Sequence, residues 1–166
     1  MRDPHFEETL ILLCQHDDEG ALGIVINRSC PISIGEILKQ TELPHTQHKS
    51  QSALWGGPVG EGACFLIWKG EIPPKDGWSL EQGLAVSPSK VWLQKLVDED
   101  NFFEIAIGYS GWGPGQLDHE IGKGSWLYTD IDSDVVLETP LEERYEKALS
   151  SLGLSKTTVW MQPIDE

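Results

Sequence analysis

Ser110 has the most suggestive surroundings for chemistry. It stands in Gly108-Tyr109-Ser110-Gly111-Trp112-Gly113-Pro114-Gly115-Gln116, and His119 follows shortly after. A serine held between a strand and a helix resembles the nucleophile elbow of hydrolases, where a sharp turn offers the hydroxyl to a base. That pattern needs a glycine two residues beyond the serine, where this chain has Trp112. No motif ties a histidine or an acid to Ser110. A small-molecule hydrolase using Ser110 and His119 therefore stands as an alternative, beside the plainer reading of a small residue filling a tight turn.

Other groupings invite a ligand rather than a reaction. Gly111, Gly113 and Gly115 imitate part of a dinucleotide fingerprint, but Gln116 and Leu117 occupy the spaces before its third glycine. What survives is an anion held by the N–H groups of Gly115 and Gln116, since a helix start offers free donors and a positive dipole end. Asn27-Arg28, at the end of an apolar run, supplies one of few cations to such a site; a surface ion pair is the competing role. His45-x-x-His48 and Cys14-x-His16 each place two metal-type ligands together without a third or fourth. Asp130, Asp132 and Asp134 lack the glycine and terminal glutamate of a calcium loop, so a solvated acidic turn is expected. No metal and no cofactor are expected.

These residues need elements to position them. Residues 8 to 28 read as a β-hairpin, with LILLC and ALGIVINR as strands around the acidic turn Asp17-Asp18-Glu19-Gly20. Ser33 and Glu36 have capping-box spacing ahead of Ile34, Ile37 and Leu38, which predicts one short helix. Ala53-Leu54-Trp55 leads into Gly56-Gly57-Pro58-Val59, whose glycines suit a sharp bend or a close approach. Ala63 to Trp68 and Leu84 to Val86 read as strands. Ser87-Pro88 opens a helix with Val91, Trp92, Leu93, Leu96 and Val97 on its inner side.

Phe103, Ile105, Ile107 and Tyr109 alternate with Glu104 as a half-buried strand does, and Pro114 suits the first position of a helix carrying Leu117 and Ile121. Trp126-Leu127-Tyr128 reads as a strand. Thr139-Pro140-Leu141-Glu142 combines a capping box with a proline at the helix start, and Leu141, Tyr145, Ala148, Leu149 and Leu152 follow at helical spacing. Strands and helices interleave without strict alternation, so an α+β single domain is expected over residues 1–166.

With 166 residues, one core can remove roughly 70% of the unfolded surface from water. Twenty-seven acidic against twelve basic residues give a formal charge of −15, and the cations are scattered. Such a chain repels a phosphate backbone, so direct nucleic-acid binding is not expected. Three cysteines without framework spacing read as reduced thiols, which fits a cytoplasmic protein. No run reaches the roughly 20 apolar residues that span a bilayer, and no membrane partner is expected.

Several motifs together resemble the AlgH/YqgE family of bacterial proteins, which are labelled uncharacterised or transcriptional regulators. They are Asp3-Pro4 with Phe6, GIVINR at 23 to 28, Gly56-Gly57-Pro58-Val59, GYSGWGPGQL at 108 to 117, and Thr139-Pro140 leading into Glu143-Arg144-Tyr145. The resemblance covers nearly the whole chain. It implies a compact α+β domain with a mixed, mostly antiparallel, coiled or barrel-like sheet and about four helices, without an established enzyme activity. A regulator of this kind would act without direct DNA contact. The family also carries an apolar strand before the Asp-Pro motif, and its counterpart is expected to be missing from a chain starting Met1-Arg2-Asp3.

The leading expectation is a non-enzymatic regulatory or binding protein. Its groove would be formed by Asn27 and Arg28, Gly56, Gly57 and Pro58, and Gly108, Ser110, Gly111, Trp112, Gly113, Gly115 and Gln116. It would recognise a small anionic ligand or a protein or peptide partner.

Overall fold

The computed structural model describes residues 8–40, 51–80, 83–99, 101–127, 129 and 133–150. Strand β1 (Ile11–Asp17) turns back into β2 (Gly20–Val25), in register from Ile11 opposite Val25 to Asp17 opposite Gly20. The hairpin expected from the two apolar runs is present. At its tip the Glu19 N–H donates to Asp17 Oδ1 at 2.9 Å, which is why an acidic turn residue serves there. A short β3 (Ser29–Ser33) leads into α1 (Ile34–Gln40), where Ser33 Oγ accepts from the Glu36 N–H at 3.1 Å.

The chain continues through β4 (Ser52–Trp55), β5 (Val59–Lys69), β6 (Trp78–Ser79), β7 (Leu84–Ser87) and α2 (Lys90–Asp98). It ends with β8 (Phe103–Trp112), α3 (Gln116–Gly122), α4 (Ser133–Leu137), a 3-10 turn (Leu141–Glu143) and α5 (Arg144–Ser150). The sheet runs β1-β2-β8-β5-β7-β6, with β3 and β4 joined to it through a parallel pairing of β4 with β8. All other pairings are antiparallel. The result is the mixed, mostly antiparallel, barrel-like α+β fold that the resemblance implies.

Period-two alternation sorts the buried side chains into two layers. On β5, Leu66 and Trp68 join Ile34, Leu38, Leu93, Leu96, Phe103 and Ile105 in one cluster. Phe65 and Ile67 join Leu12, Ile24, Leu54, Val86, Ala106 and Val136 in the other. Each fully buried aliphatic or aromatic side chain contributes about 1.5–3 kcal/mol, so both faces of the central strands are fixed by packing. Strand β8 is accordingly buried on both faces, and Glu104 is only 4% exposed where half-burial was expected.

Several local expectations change. The helix after Ser87-Pro88 is capped by Ser89, whose side chain accepts from the Val91 N–H, while Ser87 Oγ donates to the Asp76 carbonyl at 2.7 Å. Val91, expected on the inner side, is 66% exposed. Pro114 lies ahead of α3, whose cap is Gly115. Trp126 and Leu127 form no strand, because the Trp126 indole is drawn to Glu120 instead. Asp134 falls in α4, a helix that the acidic spacing concealed. Thr139 Oγ1 donates to the Asp134 carbonyl, and the last helix begins with a 3-10 turn. The Asp3-Pro4-Phe6 segment, His45, His48, Tyr128, Asp130, Asp132 and Leu152 lie outside the described residues.

Candidate functional site

The two glycine-rich motifs meet at a chain crossing. Strand β4 lies along one edge of β8, with Leu54 opposite Ala106, and β5 lies along the other, with Cys64 opposite Ile107. The link Gly56-Gly57-Pro58 must therefore pass over β8, and it does so at Gly108. A Cβ on Gly56 would lie 2.2 Å from the Gly108 carbonyl oxygen, and one on Gly108 would lie 2.5 Å from that of Gly57. Gly108 also has φ 82°, which side-chain-bearing residues rarely adopt. The Gly56 N–H donates to the Ile107 carbonyl at 2.8 Å, and the Gly56 carbonyl accepts from Val25 N–H at 2.9 Å. Backbone packs on backbone here and leaves no space for a ligand in the crossing itself.

Ser110 belongs to this crossing. Its side chain is 1% exposed and Oγ donates to the Gly56 carbonyl at 3.4 Å, whereas His119 is exposed on α3. Beyond it, Gly111 and Trp112 continue β8 against Leu22 and Ala21. Gly113 N–H donates to Gln116 Oε1 at 2.9 Å, and Gln116 N–H donates to the Gly113 carbonyl at 3.1 Å. The Gln116 donor expected to hold an anion is thus spent within the turn. Glu120 gathers what lies above it: the indole N–H groups of Trp112 and Trp126 donate to Oε1 at 3.1 and 2.9 Å.

Asn27 and Arg28 stand at the far end of β2. Asn27 Oδ1 accepts from the Leu10 N–H and its Nδ2 donates to the Glu8 carbonyl, each at 2.9 Å. Arg28 places its guanidinium 5.9 Å from the centre of the Trp55 ring. On β1, burial pushes the Cys14 thiol up to about 12, and His16 Nε2 lies 3.0 Å from Asp118 Oδ1. Among the described residues no three metal-type side chains cluster.

One residue past Arg28 a cleft of about 460 Å³ opens, with Ser29, Ser52 and Leu54 along one side and Phe102 beside them. The opposite side is Leu137, Glu138, Thr139, Pro140 and Leu141, carried by the end of α4 and the turn into α5. Its floor is Glu104 and Arg144. Glu104 points from β8 into the second core layer, and Arg144 meets it from the first residue of α5.

Both side chains are 5% exposed. Arg144 Nη1 donates to Glu104 Oε1 at 3.2 Å and to the Ile26 carbonyl at 2.7 Å, and Nε donates to the Thr139 carbonyl at 3.0 Å. Nη2 donates to Glu104 Oε2, which makes the pair bidentate. Burial pushes the Glu104 carboxyl above its usual range, and the hydrogen bond and charge of Arg144 oppose that rise. The arrangement offers a desolvated polar floor between apolar walls, a form suited to holding a small ligand or a chain segment.

Sequence reasoning named neither Glu104 nor Arg144 as a site residue. The available signals were a single carboxylate inside an apolar strand and an arginine just after a helix start.

The AlgH-like family profile matches residues 1–157. A UPF0301 protein of Vibrio atlanticus is 36% identical over 93% of this chain and 87% of its own length. Another, of Photobacterium profundum, is 37% identical over 93% and 87%. Among solved structures, the solution structure of the AlgH protein from Pseudomonas aeruginosa superposes with a TM-score of 0.78 at 29% identity, covering 100% of this chain and 90% of that one. A protein from Corynebacterium diphtheriae shares the fold, with a TM-score of 0.72 at 14% identity over 99% of this chain and 86% of that one. The motifs that pack the crossing and seat Arg144 thus sit within a profile match over nearly the whole chain, and the chain belongs to the AlgH-like family.

Proposed function

We propose that this chain is a binding protein with a regulatory rather than a catalytic role, and that its ligand seats in the cleft over Glu104 and Arg144. One observation carries the reading: a cleft of about 460 Å³ has a bidentate, desolvated ion pair as its floor and apolar side chains on both walls. Binding there reaches the chain ends of β3, β4, β8 and α5 together, so occupancy can alter the surface that a partner meets. A hydrolase built on Ser110 and His119 finds no support, since the serine hydroxyl is turned into the crossing. The charge of −15 favours regulation without DNA contact.

A ligand that binds only the folded state raises the unfolding midpoint with its saturation. A panel of metabolites, nucleotides and short peptides should therefore contain compounds that raise the melting temperature of the wild type. The same compounds should have no effect on Ser29→Trp, which fills the cleft. Shifts that persist in Ser29→Trp would place binding elsewhere and overturn the assignment.

A further inference from the structure

The chemistry of the cleft narrows its occupant, an argument that rests on the binding role just proposed. Four of the five guanidinium N–H groups of Arg144 are spent on Thr139, Ile26 and the two oxygens of Glu104. The fifth, on Nη2, has no acceptor among the described residues. In the planar fork it lies on the edge shared with Nε–H, beside the Thr139 carbonyl, which lines the cleft. A buried donor without a partner costs free energy until something accepts from it. The wall therefore presents a donor and an acceptor side by side, the pattern that a peptide group complements with its own C=O and N–H.

Charge decides which peptide. Arg144 is already neutralised by Glu104, and Glu138 adds a carboxylate at the rim of a chain with net charge −15. A phosphate or carboxylate entering here would meet repulsion with no free cation to offset it. Phe102, 47% exposed, and Leu137 and Leu141 offer apolar contact instead. We propose that the cleft binds a short basic peptide segment of a partner protein, seating one apolar side chain beside Phe102 and one main-chain amide against Arg144 and Thr139. The small anion considered from sequence is the occupant this geometry disfavours.

The test uses fluorescent, end-capped peptides with a central Phe-Leu flanked by Lys, by Gln or by Glu, titrated against the whole chain by anisotropy. The Lys set should bind about tenfold more tightly than the Glu set, the size expected for a few exposed charge pairs. Glu138→Lys should reduce that preference severalfold, and Phe102→Ala should weaken the Lys set about tenfold, as loss of an aromatic anchor does. An ester in place of the central amide should weaken binding with side chains unchanged.

Equal affinity for the Lys and Glu sets, or Lys-set binding that survives Ser29→Trp, would overturn the proposal. So would the absence of binding by any set. If peptides fail while metabolites still raise the melting temperature in a Ser29-dependent way, the peptide assignment falls and the binding role stands. If both fail, both fall.

Discussion

Arg144, the first residue of α5, closes bidentately on Glu104 of β8, a residue forty positions earlier in the chain, and both side chains are 5% exposed. This contact ties the C-terminal helix to the strand at the centre of the sheet. The Ile26 carbonyl takes a third N–H of the same guanidinium at 2.7 Å, so the end of β2 is drawn into the same junction.

Removing one partner of a buried pair leaves an uncompensated charge or carboxyl, which costs about 3–5 kcal/mol. Replacing both with apolar groups of similar volume is often close to neutral. Arg144→Met and Glu104→Leu should therefore each destabilise the chain strongly, and the double variant should be more stable than either single one. Urea unfolding at neutral pH checks the order. A double variant as unstable as the sum of the singles would show that the two residues act independently.

Burial holds the Glu104 carboxyl above its ordinary value of 4.5 in the folded chain. The folded state then takes up this proton at a higher pH than the unfolded chain does. Its contribution to stability is fully present below the unfolded value and is lost as pH rises through the folded one. The stability of the wild type relative to Glu104→Gln, which does not titrate, should accordingly fall as pH rises from about 4.5. Denaturant midpoints across that range give the answer. A difference that grows with pH would mean that Arg144 outweighs burial.

The crossing at Gly108 gives a third expectation. Gly108→Ala combines a left-handed φ with a contact of 2.5 Å to the Gly57 carbonyl oxygen, and both partners are backbone that cannot turn aside. It should cost more than about 3 kcal/mol, beyond the strain of an unfavourable φ alone. Gly115→Ala has φ 72° but open space, and should cost only about 1 kcal/mol. Thermal unfolding of the two variants separates steric contact from conformational strain, and equal losses would contradict the crossing.

The hairpin of β1 and β2 was legible because two apolar runs flank a turn with its own side-chain hydrogen bond. The helix α1 was legible from Ser33 and Glu36. The glycine motifs were legible as special positions, but their role was not. Whether Gly56 and Gly108 bend around a ligand or cross each other depends on which strands flank β8, and that is set by pairing between distant segments.

Trp126 was misread for a related reason. An aromatic pair beside a leucine favours a strand by propensity, and the hydrogen bond to Glu120 at 2.9 Å overrides it. Glu104 was visible as the polar residue of an alternating strand. Its burial followed only from the arrival of α5.

The central claim is that the cleft, and not the glycine-rich stretches, receives the ligand. Backbone amide shifts in an NMR titration with the Lys-flanked peptide test this directly. The account predicts the largest changes at Ser29, Ser52, Phe102, Glu104, Thr139 and Leu141. Changes centred on Gly56, Gly57 and Gly108 to Gln116, with the cleft unmoved, would contradict it.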